Sequence, residues 1–419
     1  MLYIKPTVKT AALALLLALS LCLCMLQAHA ADVVCAQPKI TITGGEQTVF
    51  NWHADHCSKM DFPDVPAYAF VDKDGKVQLL ASNANGNYRM IGSSLGDVKR
   101  DCERPVLSSN PNKNAPPQAF DNRMWLTAPW TNDGQTIYAL VHNEFDAWFD
   151  ADKQFCQSGD KTKCWYPNAI QVMSTDTGKS YQPMRGPQGQ VKIAMTTPYR
   201  YTPDGDTAGN QQGMVSQSNI LSSKGADGKT YYYVMVVRSI GHDNKVGTCL
   251  FRSSDISNPE AWRGWDGKDF SAAMHNNPYS STPSSQICAP IFSGFFCSGW
   301  TYNNVLHKYL AICRSNHFQT DQGAVEAFVY STSADMLHWS KPEFLKRINW
   351  QGTFRASAMN SGVTAQTYPS ILDPTSTGRN FEFSGASPYL YYTRFNPKER
   401  HAPWQNRDLV RVPLSVSCN

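Results

Sequence analysis

Apolar residues along this chain come in short runs, and the i, i+3, i+4 spacing of long amphipathic helices is nearly absent. Asp-Gly, Asn-Gly, Asn-Pro and Ser-Gly pairs separate the runs, as expected for turns between β-strands. The stretch IYALVHNEF (137–145) is typical, because an apolar run leads directly into His142, Asn143 and Glu144. The pattern predicts an all-β fold in which buried strands carry polar residues at one end.

One unit, a strand followed by a turn and a returning strand, occurs five times. The copies are PAYAFVDKDGKVQLLASN (66–83), MWLTAPWTNDGQTIYALVHNE (124–144), SNILSSKGADGKTYYYVMVVRS (218–239), IFSGFFCSGWTYNNVLHKYLAICRSN (291–316) and YPSILDPTSTGRNFEFSGASPYLYYTRFN (368–396). Each returning strand is apolar almost throughout, which indicates that both of its faces are covered. Internal repetition of this kind is the signature of a repeat architecture.

A third strand follows three of the copies, in 169–181, 247–262 and 327–340, and leads into a turn that contains Ser and Asp. Asp and Ser side chains stabilise such reversals by bonding to nearby backbone groups. Five such sheets around an axis form a five-bladed β-propeller, and a β-sandwich with coincidental turns is the alternative. We predict one domain over 31–419, with blade cores near 64–110, 120–185, 214–265, 288–345 and 366–416.

The first thirty residues have the three parts of a signal peptide. A basic start, MLYIKPTVK, precedes the apolar core TAALALLLALSLCLCML, and Ala28-His29-Ala30 fits small-residue cleavage. A membrane anchor is the alternative, but the stretch is short and no cluster of charges follows it. We expect a secreted or periplasmic protein with no integral membrane segment after cleavage.

Ten of the twelve cysteines follow residue 30, and an even number in an exported protein indicates disulfides. Metal binding is the rival interpretation, but no CxxC pair or Cys/His cluster has ligand spacing. Two pairings are hypotheses: Cys156 with Cys164 in a short loop, and Cys35 with Cys418 joining the two ends of the mature chain and closing the ring.

The composition disfavours nucleic acid as a partner, because the formal net charge is only +4 and no basic run is present. Aromatic residues make up 12% and charged residues 17% of the chain. A surface rich in Trp, Tyr and Asn suits neutral polar ligands such as sugars. We therefore expect a carbohydrate substrate and a monomeric protein.

In a hairpin, the start of the first strand lies beside the end of the second, so the polar strand ends are predicted to meet around one axial depression. Carboxylates, Arg, His, Asn and aromatic residues in a concave site are expected of a carbohydrate pocket. The predicted substrate-binding residues are Asn83, Arg89, Asn143, Asn219, Arg238, Arg314, His317, Tyr368 and Arg394. Several of Trp125, Trp130, Trp148, Trp165 and Trp300 are expected to stack on sugars and the others to fill gaps between blades.

Three carboxyl residues are candidates for catalysis. Asp64 and Asp121 precede the first strands of blades one and two, and Glu144 ends the returning strand of blade two. Glycoside hydrolysis commonly needs two carboxyl groups, one that protonates the leaving oxygen and one that activates water or attacks the sugar.

The five-unit pattern, the Asp at the start of blade one and the turn STSADMLHWS (331–340) resemble the five-bladed propeller glycoside hydrolases, the arabinanase, β-xylosidase and β-fructosidase group. STDTGKSY (174–181) resembles the Asp-box turn of sialidases, which is structural. The segments DFPDVPAYAF, LVHNEF, CWYPNAI and YPSILDP together resemble a group of exported bacterial and fungal propeller proteins.

The resemblance implies that Asp64 acts as the base, that Asp121 adjusts pKa and orientation, and that a Glu entering blade three is the acid. Blade three instead opens with Ser216-Gln217-Ser218-Asn219, so Glu144 has to take the role of the acid. We therefore predict a glycosidase with Asp64 as base or nucleophile and Glu144 as acid.

Two other functions stay open: a non-catalytic glycan-binding propeller, and a polysaccharide lyase that uses His317, Tyr368 and Arg. No cofactor is expected. Calcium on the axis, with His142 or His317 as a ligand, is an alternative that lacks a spaced partner.

Overall fold

The computed structural model describes residues 34–110, 116–147, 155–160, 163–204, 213–238, 246–280, 286–350, 364–396 and 405–419. The predicted signal peptide lies outside these residues, so its cleavage stays a prediction. The described chain has one short α-helix, α1 (Trp52–Asp55), and two 3-10 turns, Pro117–Ala119 and Pro259–Ala261. None of the helices in the described ranges is long and apolar enough to cross a membrane.

The described strands form five sheets, and each sheet is one blade. The first contains β3 (Tyr68–Val71), β4 (Val77–Leu80), β5 (Arg89–Gly92) and β6 (Lys99–Arg100). The second contains β7 (Arg123–Trp130), β8 (Ile137–Asp146), β9 (Trp165–Ser174), β10 (Gln182–Pro183) and β11 (Ile193–Met195). The third contains β12 (Met214–Gln217), β13 (Leu221–Lys224), β14 (Thr230–Arg238), β15 (Gly247–Ser253), β16 (Arg263–Trp265), β17 (Phe270–Ala272) and β18 (Pro290–Ser293).

The remaining strands belong to blades four and five. Blade four contains β19 (Phe295–Asn303), β20 (Lys308–Thr320), β21 (Gly323–Ser333), β22 (Glu343–Arg347) and the parallel strand β24 (Phe383–Ser384). Blade five contains β23 (Ala365–Leu372), β25 (Tyr389–Phe395), β26 (Arg407–Cys418), β1 (Pro38–Ile42) and β2 (Gln47–Phe50). The predicted all-β propeller with disulfides is confirmed, and the described strands fall into five sheets, as the five-bladed prediction requires.

The inner strands pack against one another in a ring. β3 contacts β7, β8 contacts β12, β12 contacts β19, β19 contacts β23, and β23 returns to β3. The apolar core lies between neighbouring blades. It covers both faces of the returning strands, as predicted. Their burial is nearly complete in β14, where Val234, Met235 and Val236 are fully buried. Trp130 and Trp300 also lie in this core, whereas Trp148 lies outside the described residues.

The two ends of the described chain close the ring. β1 pairs antiparallel with β26, with Pro38 opposite Cys418 and Ile42 opposite Leu414, so the N-terminal strand is the outermost strand of the last blade. The Cys35–Cys418 disulfide covalently joins the segment before β1 to the end of β26. The two proposed disulfides, Cys35–Cys418 and Cys156–Cys164, are both confirmed, and three more pairs form: Cys57–Cys102, Cys249–Cys288 and Cys297–Cys313.

The predicted start of blade four, near residue 288, is wrong. Residues 290–293 form β18, which pairs with β15 and belongs to blade three. Gly294 then takes a positive φ of 77°, a conformation that glycine adopts without strain, and the chain turns into β19. The predicted blade five, 366–416, also lacks β1 and β2, because their contribution depends on a chain closure that no local pattern shows.

The three predicted Ser/Asp turns are confirmed and share one geometry. In each turn a Ser hydroxyl oxygen accepts the backbone N–H of the Asp two residues later: Ser174 for Asp176, Ser253 for Asp255 and Ser333 for Asp335. Each Asp carboxylate in turn accepts backbone N–H groups further along the turn. Hydrogen bonds of this kind fix the reversal after the third strand.

The turn at Asp335 predicts a local dependence of stability on pH. Burial raises the pKa of Asp335, but hydrogen bonds from the backbone and ring of His338 outweigh it and lower the pKa from 3.8 to about 2. A lowered pKa stabilises the folded state at pH values above that of the unfolded chain, and this stabilisation is lost as pH falls towards the folded value.

We therefore expect that lowering the pH from about 5 to about 2 decreases the melting temperature more in the wild type than in Asp335→Asn. Thermal unfolding followed by circular dichroism measures this difference. Asp269→Asn, at an exposed turn, is the control and should follow the wild type. Parallel pH profiles for wild type and Asp335→Asn would contradict the assignment.

Candidate active site

A cavity of about 250 Å³ opens where the inner strands of the five blades begin. All five sheets contribute to its wall: Asp64 precedes β3, His142 and Glu144 come from β8, Ser216 from β12, Arg314 from β20 and Tyr368 from β23. The registers explain this convergence, because the hairpins place Trp125 opposite His142 and Phe296 opposite Arg314. Segments far apart in the chain therefore meet at one end of the ring.

The inner strands of blades two to five each have an irregularity at the level of the cavity. The register shifts at Ala128, Ser216, Ser298 and the pair Tyr368-Pro369. Three of these residues have positive φ angles, 45° at Ala128, 51° at Ser216 and 56° at Tyr368. β-Bulges bend a strand and redirect its side chains, and here they turn Ser216 and Tyr368 towards the axis.

Tyr68 joins three blades beneath the cavity. Its side chain is buried, and its hydroxyl lies 2.6 Å from the carbonyl oxygens of both Gln217 and Ser298. The Ser298 hydroxyl in turn donates to the carbonyl of Pro369 at 2.6 Å. Burial raises the pKa of Tyr68 well above its ordinary value, so the hydroxyl keeps the proton that it donates.

Tyr68→Phe is expected to lower the free energy of unfolding by about 1–3 kcal/mol, because buried carbonyl groups lose their donor. Urea unfolding measures the change. Tyr181→Phe is a matched control, since Tyr181 is equally buried and its hydroxyl has no hydrogen-bond partner among the described residues. Equal losses in the two variants would show that the Tyr68 hydroxyl does not hold the blades together.

Asp64 is held by four donors. Its Oδ1 accepts from an Arg407 guanidinium nitrogen and, at 3.3 Å, from the Tyr368 hydroxyl. Its Oδ2 accepts from the Asn83 amide at 2.8 Å and the Trp125 indole at 3.0 Å. An ionised carboxylate has about four acceptor positions. Asp64 is therefore a carboxyl group anchored through both of its oxygens.

Glu144 has a different environment. Its Oε1 lies 2.8 Å from Nε2 of His142, and both side chains are mostly buried in the cavity wall. His142, Asn143 and Glu144 all lie within β8, which continues to Asp146. Because side chains alternate along a strand, His142 and Glu144 share the cavity face and Asn143 points away from it.

Trp125 connects the two carboxyl groups. Its indole nitrogen bonds to Asp64, and its ring packs on His142 with centroids 5.3 Å apart and planes tilted by 52°. His142 contacts Glu144, so one continuous set of side chains runs from Asp64 to Glu144. Burial and the Asp64 charge raise the pKa of Tyr368, which completes this wall, above its ordinary value, so Tyr368 is a neutral donor.

Of the predicted binding residues, Arg314 and Tyr368 line the cavity and Asn83 contacts Asp64. Trp125 and Trp165 also line it. Five other predicted binding residues are not among those that line the cavity: four serve packing or pairing in the blades, and the fifth is exposed. Asn143 donates to the Phe120 and Arg123 carbonyls, Asn219 bonds both backbone groups of Trp300, Arg89 pairs with Asp101, Arg394 pairs with Glu46 and Asp408, and His317 is exposed.

Arg238 is buried at the end of β14 and is not among the cavity-lining residues. Asp121 is also outside the wall: its carboxylate accepts from the Asn110 amide at 3.2 Å. Phe120 takes a left-handed conformation with φ of 52°, and this turn directs the chain into β7 before Asp121 can reach the axis. The structure thus brings together Asp64 and Glu144 but leaves Asp121 aside.

Arg407 is a site residue that the sequence did not indicate. It lies at the start of β26, and it reaches Asp64 because ring closure brings blade five beside blade one. The rings of Phe62 and Phe395 lie against its guanidinium, each 4.4 Å from the ring centroid. Only a tertiary contact across most of the chain identifies it.

Within the described ranges, one group of three Cys, His, Asp or Glu side chains has its ligand atoms close together: Cys156, Cys164 and Asp204. Its two cysteines form a disulfide, and thiolates rather than disulfides bind metals. This group therefore does not fit a metal site. Axial calcium stays an untested alternative, and the two histidines proposed for it lie apart, with His142 in the cavity and His317 exposed.

No protein-family model and no curated protein sequence matches the chain. Among solved structures, the chain is similar to an α-L-arabinofuranosidase from Lactobacillus brevis, with 12% identity, a TM-score of 0.41, and coverage of 87% of this chain and 94% of the other. It is also similar to an endo-arabinase from Bacteroides thetaiotaomicron, with 11% identity, a TM-score of 0.41, and coverage of 88% and 97%.

A third similar structure is an α-L-arabinofuranosidase from Podospora anserina in complex with cellotriose, with 10% identity, a TM-score of 0.44, and coverage of 92% and 99%. These proteins are of the kind that the sequence resembles. Structural similarity at such low sequence identity does not assign an activity. The function therefore has to be inferred from the chemistry of the cavity.

Proposed function

We propose that this protein is a glycoside hydrolase that acts on an oligo- or polysaccharide in the axial cavity. The observation that carries the proposal is that Asp64 and Glu144 line one cavity in different chemical surroundings. Asp64 accepts from four donors, whereas Glu144 shares a short contact with a histidine. Two carboxyl groups in different environments suit the roles of base and acid.

Glu144 is the proposed acid, which protonates the glycosidic oxygen as the bond breaks. His142, 2.8 Å away, orients its carboxyl group and exchanges the proton with it. Ser216 lines the cavity in blade three, at the blade where the resembled enzymes carry their acid, and a serine hydroxyl is far too weak an acid for this step. Glu144 from the adjacent blade takes its place.

Asp64 is the proposed base, which accepts a proton from the attacking water. Of its three contacts with neutral donors, the one from Tyr368 is the longest at 3.3 Å. A water bound on Oδ1 would replace this contact, and Arg407 would keep the carboxylate in place. Hydrogen bonds in unliganded active sites are often long and rearrange when substrate binds.

A glycan-binding protein without catalysis is the second candidate. The observation that favours it is the full occupation of the Asp64 acceptor positions by protein donors. In that case Asp64 would only hold the cavity wall together, and the aromatic residues would bind the sugar.

The protein is proposed to act outside the cytoplasm. The five disulfides support this location, because such bonds form in oxidising compartments. We also propose that the protein acts as a monomer.

Incubation of purified residues 31–419 with a panel of plant, bacterial and fungal glycans tests the proposal. We expect reducing ends to be released from at least one glycan, with release lost in Asp64→Asn/Glu144→Gln. Glycan binding by calorimetry without any release from the whole panel would support the second candidate and reject hydrolysis.

A further inference from the structure

We infer that Arg314 binds a negatively charged group of the ligand, and that the acidic group is a carboxylate carried by the sugar. This inference deepens the proposed function and rests on it, since it names the substrate class of the same cavity: a glycan that contains uronic acid. The oxyanion is recognised by a guanidinium that forms no ion pair with an acidic side chain of the described residues; Glu326 interacts with it electrostatically without forming an ion pair.

Two aromatic rings hold the Arg314 guanidinium at the cavity wall. Its central carbon lies 4.4 Å from the ring centroid of Phe296 and 3.8 Å from that of Trp350. Phe296 is its direct cross-strand partner in the β19–β20 hairpin, and the neighbouring pair in the register is the disulfide Cys297–Cys313. Stacking covers the faces of the guanidinium, so the N–H groups in its plane remain for a ligand.

Arg314 lacks, among the described residues, the carboxylate partner that three other buried arginines have. Arg407 pairs with Asp64, Arg89 with Asp101 and Arg100 with Asp61. No acidic side chain of the described residues forms an ion pair with Arg314, and its buried Nη1 has no hydrogen-bond partner there. The residue is only 9% exposed, so its guanidinium is largely removed from bulk solvent.

A buried and unpaired charge is costly in a folded protein. Burial lowers the pKa of Arg314 to about 10, and the side chain therefore still carries its charge at neutral pH. An anion in the cavity would compensate this charge through N–H···O bonds, and a planar carboxylate matches the guanidinium fork.

The cavity wall favours a glycan carboxylate over a free inorganic anion. Trp125, Trp165 and Trp350 line the same space, and aromatic faces suit sugar rings rather than a small hydrated ion. Nε1 of Trp165 and Nδ1 of His142 are also buried and have no hydrogen-bond partner among the described residues. Both residues line the cavity, so hydroxyl groups of the same sugar can bond to them.

Calorimetric titration of residues 31–419 with oligogalacturonates and glucuronate-containing oligosaccharides, each beside its methyl ester, isolates the charge. We expect the acid to bind roughly tenfold to hundredfold more tightly than the ester, the range for a hydrogen bond to a charged group. Arg314→Gln should remove this preference. Arg185→Gln, at an exposed position, should retain it.

Arg314→Lys tests whether misfolding, rather than the lost charge, removes the preference for the acid in Arg314→Gln. This variant retains the charge and is expected to retain a smaller preference for the acid. Circular dichroism of each variant checks folding. Equal binding of acid and ester by wild type, or a preference that survives in Arg314→Gln, would overturn the inference.

Titration with inorganic phosphate distinguishes a glycan carboxylate from a free anion. Arg314-dependent phosphate binding without a preference for acid over ester would keep the oxyanion site but assign it to a free anion.

Failure of the inference differs from failure of the proposed function. Hydrolysis of neutral glycans at equal rates by wild type and Arg314→Gln would reject the acidic substrate and keep the hydrolase. Selective binding of the acid without cleavage would keep the anion site and reject hydrolysis. An unsaturated product, detected by its ultraviolet absorbance, would keep the anion site and replace hydrolysis with elimination.

Discussion

Glu144→Gln is expected to lower kcat by about 10²–10⁴-fold on a substrate whose leaving group needs protonation, because the amide cannot supply the proton. Steady-state kinetics on the natural glycan and on an aryl glycoside measures the loss. The loss should be much smaller on the aryl glycoside, since its leaving group departs without protonation. This split between substrates identifies an acid and separates it from a residue that only shapes the cavity.

Asp64→Ala is expected to lose activity on both substrates, because the attacking water then lacks its base. Added formate should restore part of the activity, since a small carboxylate can enter the space left by the side chain. Glu260→Gln, at an exposed carboxyl that pairs with Lys192, is the control for both variants and should behave as wild type.

Unchanged turnover in Glu144→Gln, or an equal loss on the two substrates, would reject the assignment of Glu144 as the acid.

Removal of the closing disulfide is expected to have the largest effect on stability. The Cys35–Cys418 bond spans 383 residues, and the loss of unfolded-state entropy grows with the length of the loop. The double variant Cys35→Ser/Cys418→Ser should lose about 2–5 kcal/mol of unfolding free energy, the usual range for a native disulfide. Guanidinium unfolding under non-reducing conditions measures it.

The Cys156–Cys164 disulfide provides the comparison, because it spans only 8 residues and should contribute less. The cavity also depends on closure, since Arg407 on β26 anchors Asp64 from the first blade. Activity of Cys35→Ser/Cys418→Ser should therefore be lost at a lower temperature than in wild type. A larger loss of stability in Cys156→Ser/Cys164→Ser would contradict the closing role.

The sequence predicted those parts of the fold that depend on local patterns. Strand runs and turns within one hairpin fix which residues face each other, so the convergence of Asp64, Glu144, Arg314 and Tyr368 could be anticipated. The same reasoning placed Arg89 and Arg394 at the rim, because it cannot distinguish a polar strand end that binds a ligand from one that pairs internally. Their partners lie elsewhere in the chain: Asp101 directly follows β6, and Asp408 lies in β26.

Other features depend on tertiary contacts, or on backbone conformations that the residue types at those positions do not indicate. Arg407 reaches Asp64 only after the ring closes. The positive φ angles of Ser216 and Tyr368 occur at residues that rarely adopt them, so the bulges that aim both side chains were not predictable. The left-handed turn at Phe120, which leaves Asp121 aside, is of the same kind.

In the proposed function, the propeller holds Asp64 and Glu144 on either side of a glycosidic bond. A crystal structure of Glu144→Gln with an oligosaccharide that the wild type cleaves would show this arrangement. We expect the scissile oxygen within about 3 Å of the amide at position 144, and the anomeric carbon facing Asp64 directly or through one water. An oligosaccharide bound outside the axial cavity, or with its glycosidic oxygen turned away from position 144, would contradict it.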